Sequence, residues 1–212
     1  MTPGGSGASP ERLVWYAAYG SNLSRKRFDC YIRGGRPDGA KRDYPGCRDT
    51  SDPISDRPWE LLGALVFGKE SLNWTGCGVA FLDTSKRGET AKGRLYLVTH
   101  EQFEDIVAQE NHRPLGDVTL PEPSPGSVYD LKQGFYPLVI GLGEVDDHFV
   151  VSITDILEEH TKPSPGYLRH IAQGLREAHN MSGTQVLDYL LGRPGIEGLM
   201  NEEEVAGAVR TP

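Results

Sequence analysis

The sharpest place for chemistry in this sequence is the stretch Tyr19-Gly20-Ser21-Asn22, a glycine turn between an apolar run and a helix-like segment. Glycine tolerates the tight reversal that a strand-to-helix turn needs, and the helix start that follows leaves backbone N–H groups without partners. Such a turn can cradle a carboxylate or an oxyanion. An ordinary turn with Asn22 or Ser24 as N-cap accounts for the same residues. The second place is Glu110. Phe103, Ile106, Val107 and Glu110 stand at i, i+3, i+4 and i+7 and share one helix face. This carboxylate is therefore expected to point inward, with Glu101, Glu104 and Asp105 on the solvated side. Desolvation raises the pKa of a buried carboxyl, which suits it to general-base work near neutral pH. A fraying helix end that lets Glu110 reach water is the competing reading.

Other reactive residue types lack partners at useful spacing. The six histidines form no His-Glu-x-x-His pattern, and there is no Cys-x-x-Cys. A zinc site is not expected, and neither is a metal-dependent deacetylase or protease. No cofactor is expected. Ser21 lacks Gly-x-Ser-x-Gly surroundings, and Cys47 in Pro45-Gly46-Cys47-Arg48 has no adjacent base, so nucleophilic catalysis by either is disfavoured. Trp74, ahead of Thr75-Gly76-Cys77-Gly78, reads as part of a turn before a strand rather than a stacking platform. Arg25-Lys26-Arg27 reads as a solvated helix face.

The elements that must hold these residues follow from pattern. Leu13 to Tyr19 reads as a strand buried on both faces, and a helix-like segment then runs to about Arg33, capped by Gly34-Gly35. Residues 36–58 carry four prolines and many charges and read as a long surface excursion. Apolar runs at Leu61 to Phe67, Gly78 to Leu82 and Gly93 to Val98 are strand candidates. Thr99 with Gln102 is a capping box for the helix that carries Glu110. Past a proline-rich loop, Phe135 to Leu142 and Phe149 to Ile153 suit a returning strand pair. Ser164-Pro165 starts a helix with Leu168, Ile171, Leu175 and Ala178 on one face, and Val186 to Leu191 forms a last helix ending at Gly192. Strands and helices do not alternate as in a doubly wound sheet, so the class is α+β with a curled or closed sheet.

Composition bounds the setting. With 212 residues, 37% hydrophobic and 25% charged, one globular domain is expected over 11–195, with a disordered tail at 1–10 and a C-terminal tail at 196–212. A net charge of -8 with mixed signs argues against nucleic acid as a partner. No apolar run is long enough to span a bilayer, and no signal peptide is evident, so no membrane partner is expected. Three cysteines without paired spacing point to free thiols and a cytoplasmic location. The sequence leaves open whether the chain is a monomer or a homodimer.

The run Tyr16-Ala17-Ala18-Tyr19-Gly20-Ser21-Asn22-Leu23 resembles the signature of the gamma-glutamylcyclotransferase-like superfamily. Ser71 to Ala80 resembles the superfamily's Trp- and Gly-rich segment, Gly93 to Glu110 its strand-helix-acid unit, and Tyr167 with Gly174 its late Tyr-containing helix. The Arg-Gly-Gly-Arg-Pro run and Pro-Gly-Cys-Arg look like an actinobacterial branch, and Asn111 stands where many members have Gly after the acid. The resemblance implies a small, mixed, barrel-like sheet with flanking helices and a metal-free cyclisation of a small-molecule gamma-glutamyl substrate. It implies that Tyr19, Gly20, Ser21, Asn22, Leu23 and Tyr167 bind substrate and that Glu110 removes a proton from the substrate's α-amino nitrogen. The products would be 5-oxoproline and a free amine. A related acyl-transfer or amide-cleaving enzyme, or a non-catalytic binding module on the same fold, are the alternatives.

Because no metal-ligand pattern accompanies these residues, release of 5-oxoproline from a gamma-glutamyl amine is expected to be unchanged by EDTA. A loss of turnover that added divalent metal restores would contradict this.

Overall fold

The strand that leads to the glycine turn is central because its side chains are apolar on both faces. In the computed structural model, which describes residues 12–210, this strand, β1 (Leu13–Ala18), is buried from Val14 onward. It pairs antiparallel with β5 (Thr90–Thr99) on one side and parallel with β8 (His148–Thr154) on the other. Outside β5 lies β2 (Ser55–Leu62), and outside β8 lie β7 (Leu138–Val145) and then β6 (Val128–Asp130), giving one mixed sheet of six strands. β3 (Ala64–Ser71) and β4 (Cys77–Asp83) form a separate two-stranded sheet. Thr154 at the end of β8 ties the two together, its hydroxyl accepting from Leu82 N–H and donating to Leu82 C=O. The architecture is α+β, a mixed sheet in two pieces with helices around it.

Two departures from the sequence reading lie around Leu61 to Phe67. This run is two strands in different sheets, because Gly63, at φ +130 with no room for a Cβ against Asp83, turns the chain between them. β2 also begins inside the proline-rich excursion and contains Pro58, which is tolerated because β2 is an edge strand. The short β6 was not expected in the proline-rich loop.

Helix boundaries follow their caps. α1 (Arg25–Arg33) starts at Ser24, whose hydroxyl accepts from Arg27 N–H, and stops at Gly34 with φ +82. α2 (His100–Glu110) has both arms of the Thr99–Gln102 capping box. α3 (Pro165–His179) starts at Ser164 with Pro at its first turn, and α4 (Gly183–Leu191) has a second capping box between Ser182 and Gln185. The expected C-terminal tail at 196–212 carries a helix instead, α5 (Glu202–Arg210), which buries Val205, Ala208 and Val209. The expected tail at 1–10 lies outside the described residues. Among the described residues, no helix is long and apolar enough to cross a membrane.

The segment after β1 is pinned from all sides. Leu23 C=O accepts from Arg94 Nη1, Asn22 C=O accepts from the Tyr96 hydroxyl at 3.0 Å, and Gly20 C=O accepts from Leu23 N–H. Gly174 of α3 backs the turn so closely that a Cβ there would lie 2.3 Å from Leu23. Gly174→Ala is therefore expected to cost about 1–3 kcal/mol through overpacking, measured by denaturant unfolding. A variant as stable as the parent would mean that α3 does not fix the turn.

Candidate functional site

Tyr19, Gly20, Ser21, Asn22, Glu110 and Tyr167 line one cavity of about 630 Å³, part of it open to solvent. Leu23, expected with them, does not: it is fully buried beneath the turn and packs against Gly174. Its contribution is to hold the turn in place.

Glu110 is the last residue of α2, half-buried, and the one carboxylate among the described residues that line the cavity. Its Oε1 accepts from Asn22 Nδ2 at 3.2 Å, and the same amide nitrogen donates to the Tyr16 hydroxyl. The turn and the acid are thus joined directly. Burial raises the Glu110 pKa, opposed by the nearby Arg27 cation and by hydrogen bonds from Tyr31 and Asn22. Asn22 Oδ1 and Gln109 Oε1 are buried without a partner. Buried amide oxygens left unpaired are costly, which marks this corner as built for a polar guest.

The rest of the wall is aromatic. Tyr16, Tyr19, Tyr31, Tyr44, Tyr136, Tyr167, Trp74 and Phe135 all face the cavity. Tyr19 donates its hydroxyl to Ile153 C=O at 2.5 Å. Tyr167 accepts from Ala80 N–H at 3.0 Å, its hydroxyl lies against the N–H and hydroxyl of Ser21, and burial pushes its pKa up to about 12. Trp74 sits in a short 3-10 turn, as its neighbours suggest, and also packs edge-on against Tyr167 at 5.2 Å. Asn111 clamps the loop before β7: it accepts from Tyr136 N–H and donates to Tyr136 C=O and Val107 C=O. That clamp sets Tyr136 and Phe135 over the cavity.

Several charged residues behave differently from their sequence context. Arg27 is 2% exposed rather than on a solvated face, and Asp105 is fully buried, receiving Arg48 and the N–H of Gly116. Helical periodicity cannot reveal this, because the segment from Tyr44 to Arg48 and the loop at Gly116 cover that side of α2 only in the folded chain. Tyr31, Tyr44, Asn73 and Gln109 were likewise not legible as site residues. Among the described residues, no group of three or more His, Cys, Asp or Glu side chains is placed to hold a metal ion. Cys30, Cys47 and Cys77 are free, and burial raises the Cys47 pKa far above its usual value.

Glycine at position 20 is required for space rather than for left-handed backbone, since its φ is −103. A Cβ there would come 2.8 Å from the Tyr167 hydroxyl and 3.1 Å from Ala80. Gly20→Val is expected to displace Tyr167 and lower turnover at least about 100-fold while the fold persists, checked by steady-state kinetics with circular dichroism. Near-normal turnover would mean that the Gly20–Tyr167 contact has no part in the reaction.

No protein-family model matches the chain. Among curated proteins, histone deacetylase 5 of Arabidopsis thaliana is 31% identical over 199 residues, a match that covers 84% of this chain. The chain spans only 30% of the length of that curated relative. Among solved structures, a gamma-glutamyl cyclotransferase is 18% identical with a TM-score of 0.56, the match covering 94% of this chain and all of that one. An uncharacterised Homo sapiens protein is 19% identical with a TM-score of 0.55, covering 95% of this chain and all of that one. The chain has the gamma-glutamyl cyclotransferase fold.

Proposed function

We propose that this chain is a gamma-glutamyl cyclotransferase-like enzyme that converts a gamma-glutamyl amide into 5-oxoproline and a free amine. The observation that carries the reading is the direct bond between Glu110, the cavity's one carboxylate among the described residues, and Asn22 of the glycine turn. The likeness in fold to a gamma-glutamyl cyclotransferase supports it.

The steps use this chain's own groups. The substrate's α-amino nitrogen lies against Glu110 and the unpartnered Asn22 Oδ1, and Glu110 takes its proton. The freed nitrogen attacks the γ-carbonyl carbon, forming the N–C bond of the five-membered ring. Tyr167 already accepts Ala80 N–H, so its own O–H is left to donate to the developing oxyanion, together with N–H groups of the turn. Collapse breaks the original C–N bond, and Glu110 returns its proton to the departing amine. The enzyme ends unchanged. Ser21 is not the nucleophile in this scheme, because its hydroxyl faces Tyr167 rather than a base. The free thiols support a cytoplasmic setting.

Glu110→Gln keeps the shape and removes the proton acceptor, so 5-oxoproline release is expected to fall by roughly 100- to 10,000-fold. A variant retaining more than about a tenth of wild-type turnover, a barrier change under about 1.4 kcal/mol, would defeat the assignment. The same variant should melt no lower than wild type at pH 7. Burial raises the folded-state pKa of Glu110, so between the unfolded and folded values the native chain holds a proton that the unfolded chain has released. Stability contributed by this group is thus lost as pH rises through that window, and glutamine escapes the loss. An inactive variant with a clearly lower melting temperature would indicate damage to the fold instead.

A further inference from the structure

Arg27 is a buried cation without an acid beside it. It is 2% exposed and lines the cavity that holds Glu110, yet among the described residues no carboxylate comes within ion-pairing distance of it. Its neighbours on α1 differ: Arg25 is paired with Asp29, and Lys26 with Asp38. Arg94, also buried, holds Asp56 and Glu177. The Arg27 Nη2 donates to the hydroxyls of Tyr31 at 3.1 Å and Tyr44 at 2.9 Å, and its Cζ stands 4.5 Å from the centre of each ring. Nε and Nη1 have no acceptor. Phenol oxygens and ring faces soften a buried positive charge without neutralising it, and a guanidinium held this way is costly unless an anion joins it.

The cavity wall also carries a donor for that anion. Tyr44, buried like Arg27, accepts from Arg27 Nη2 and from Asn73 Nδ2, the second at 3.0 Å. Its oxygen is filled as an acceptor, and its own hydrogen is left to give. We propose that Arg27 and Tyr44 form the seat of the substrate's α-carboxylate: the Tyr44 hydroxyl donates to it, and the guanidinium behind that hydroxyl balances its charge. This rests on the reading of the substrate as a gamma-glutamyl group and names a feature that the group must carry. Glu110 and Asn22 Oδ1 meet the α-amino nitrogen, and the carboxylate hangs from the same carbon. An α-amino acid end thus brings one charge of each sign to a cavity lined by one cation and one carboxylate.

Position in the fold favours the α-carboxylate over one on the leaving amine. Gln109 Nε2 donates to Tyr31 C=O at 3.0 Å, which ties α1 to the end of α2 and sets the Arg27 side of the cavity next to Glu110. Arg27, Asn22 and Gln109 are all buried there. A carboxylate on the leaving amine is separated from the α-carbon by the length of the glutamyl side chain. It belongs nearer the rim, where His112 is exposed and Ser71 and Phe135 are half-buried.

The test is calorimetric binding to the Glu110→Gln protein, which leaves the ligands uncleaved. Gamma-glutamylethylamide carries its one carboxylate at the α position, and the α-amide of gamma-glutamylglycine carries its one carboxylate on the leaving part. The first is expected to bind about 10- to 100-fold more tightly than the second. Adding Arg27→Met is expected to abolish that preference, and adding Tyr44→Phe to reduce it. Equal affinities, binding of neither ligand, or a preference for the second would overturn the seat at Arg27, as would a preference that survives Arg27→Met. If the Arg27→Met protein does not fold, Tyr44→Phe decides: a reduced preference supports the seat and an unchanged one overturns it. Binding is read without turnover. A wild-type chain that shows the preference and releases no 5-oxoproline would defeat the proposed function and leave the seat standing, and release without the preference would do the reverse.

Discussion

Everything at this site depends on keeping one carboxylate in a place that disfavours it. Glu110 ends a helix, lies under tyrosine rings, and has its pKa raised by burial. Burial alone favours its protonated form. The protein answers with a hydrogen bond from Asn22 and with the Arg27 cation nearby, both of which oppose the upward shift. A group held between two protonation states in this way can take a proton and give it back, which is what an intramolecular aminolysis needs from a single residue.

The fold supplies that arrangement by bringing three unrelated stretches together. β1 runs through the middle of the sheet and delivers the glycine turn at its end, while β5 beside it runs straight into the capping box of α2. Since β1 and β5 are antiparallel, the start of β1 lies beside the start of α2, and α2 must travel its whole length back along β1 before Glu110 meets Asn22. Eleven residues of helix cover that return. α3 closes the site from behind, with Gly174 against Leu23 and Tyr167 between Gly20 and Ala80. Close contacts at Gly20 and Gly174 leave the turn little freedom, so the geometry around Glu110 is set by the core rather than by loops.

How much of this the sequence discloses depends on the range of the interaction. The central strand, the Ser24 cap, the capping box and the Ser164-Pro165 start are local signals and are found where they were read. The inward face of α2 is also local, because it follows from helical spacing. Residues that act across the fold were hidden. Arg27 lies in a run of three basic residues and looks like surface, yet it is enclosed because Tyr44, from the loop after α1, folds over it. Asp105 looks like a partner of the exposed acids, yet Arg48 and Gly116 bury it. Gly20 was read as a residue that permits a turn, and the structure gives it a different reason: Tyr167 leaves no space for a side chain. Each case needs a contact distant in sequence that composition and periodicity do not contain.

The central claim is that Glu110 and the glycine turn hold the two reacting ends of one gamma-glutamyl group. It is tested most directly by a crystal structure of the Glu110→Gln protein with an uncleaved gamma-glutamyl amine. The account predicts the substrate's α-amino nitrogen within hydrogen-bond distance of the residue 110 side chain and Asn22, and its γ-carbonyl oxygen facing the Tyr167 hydroxyl and the turn. A γ-carbonyl oxygen turned away from Tyr167, an α-amino group remote from residue 110, or an acyl adduct on Ser21 would contradict it.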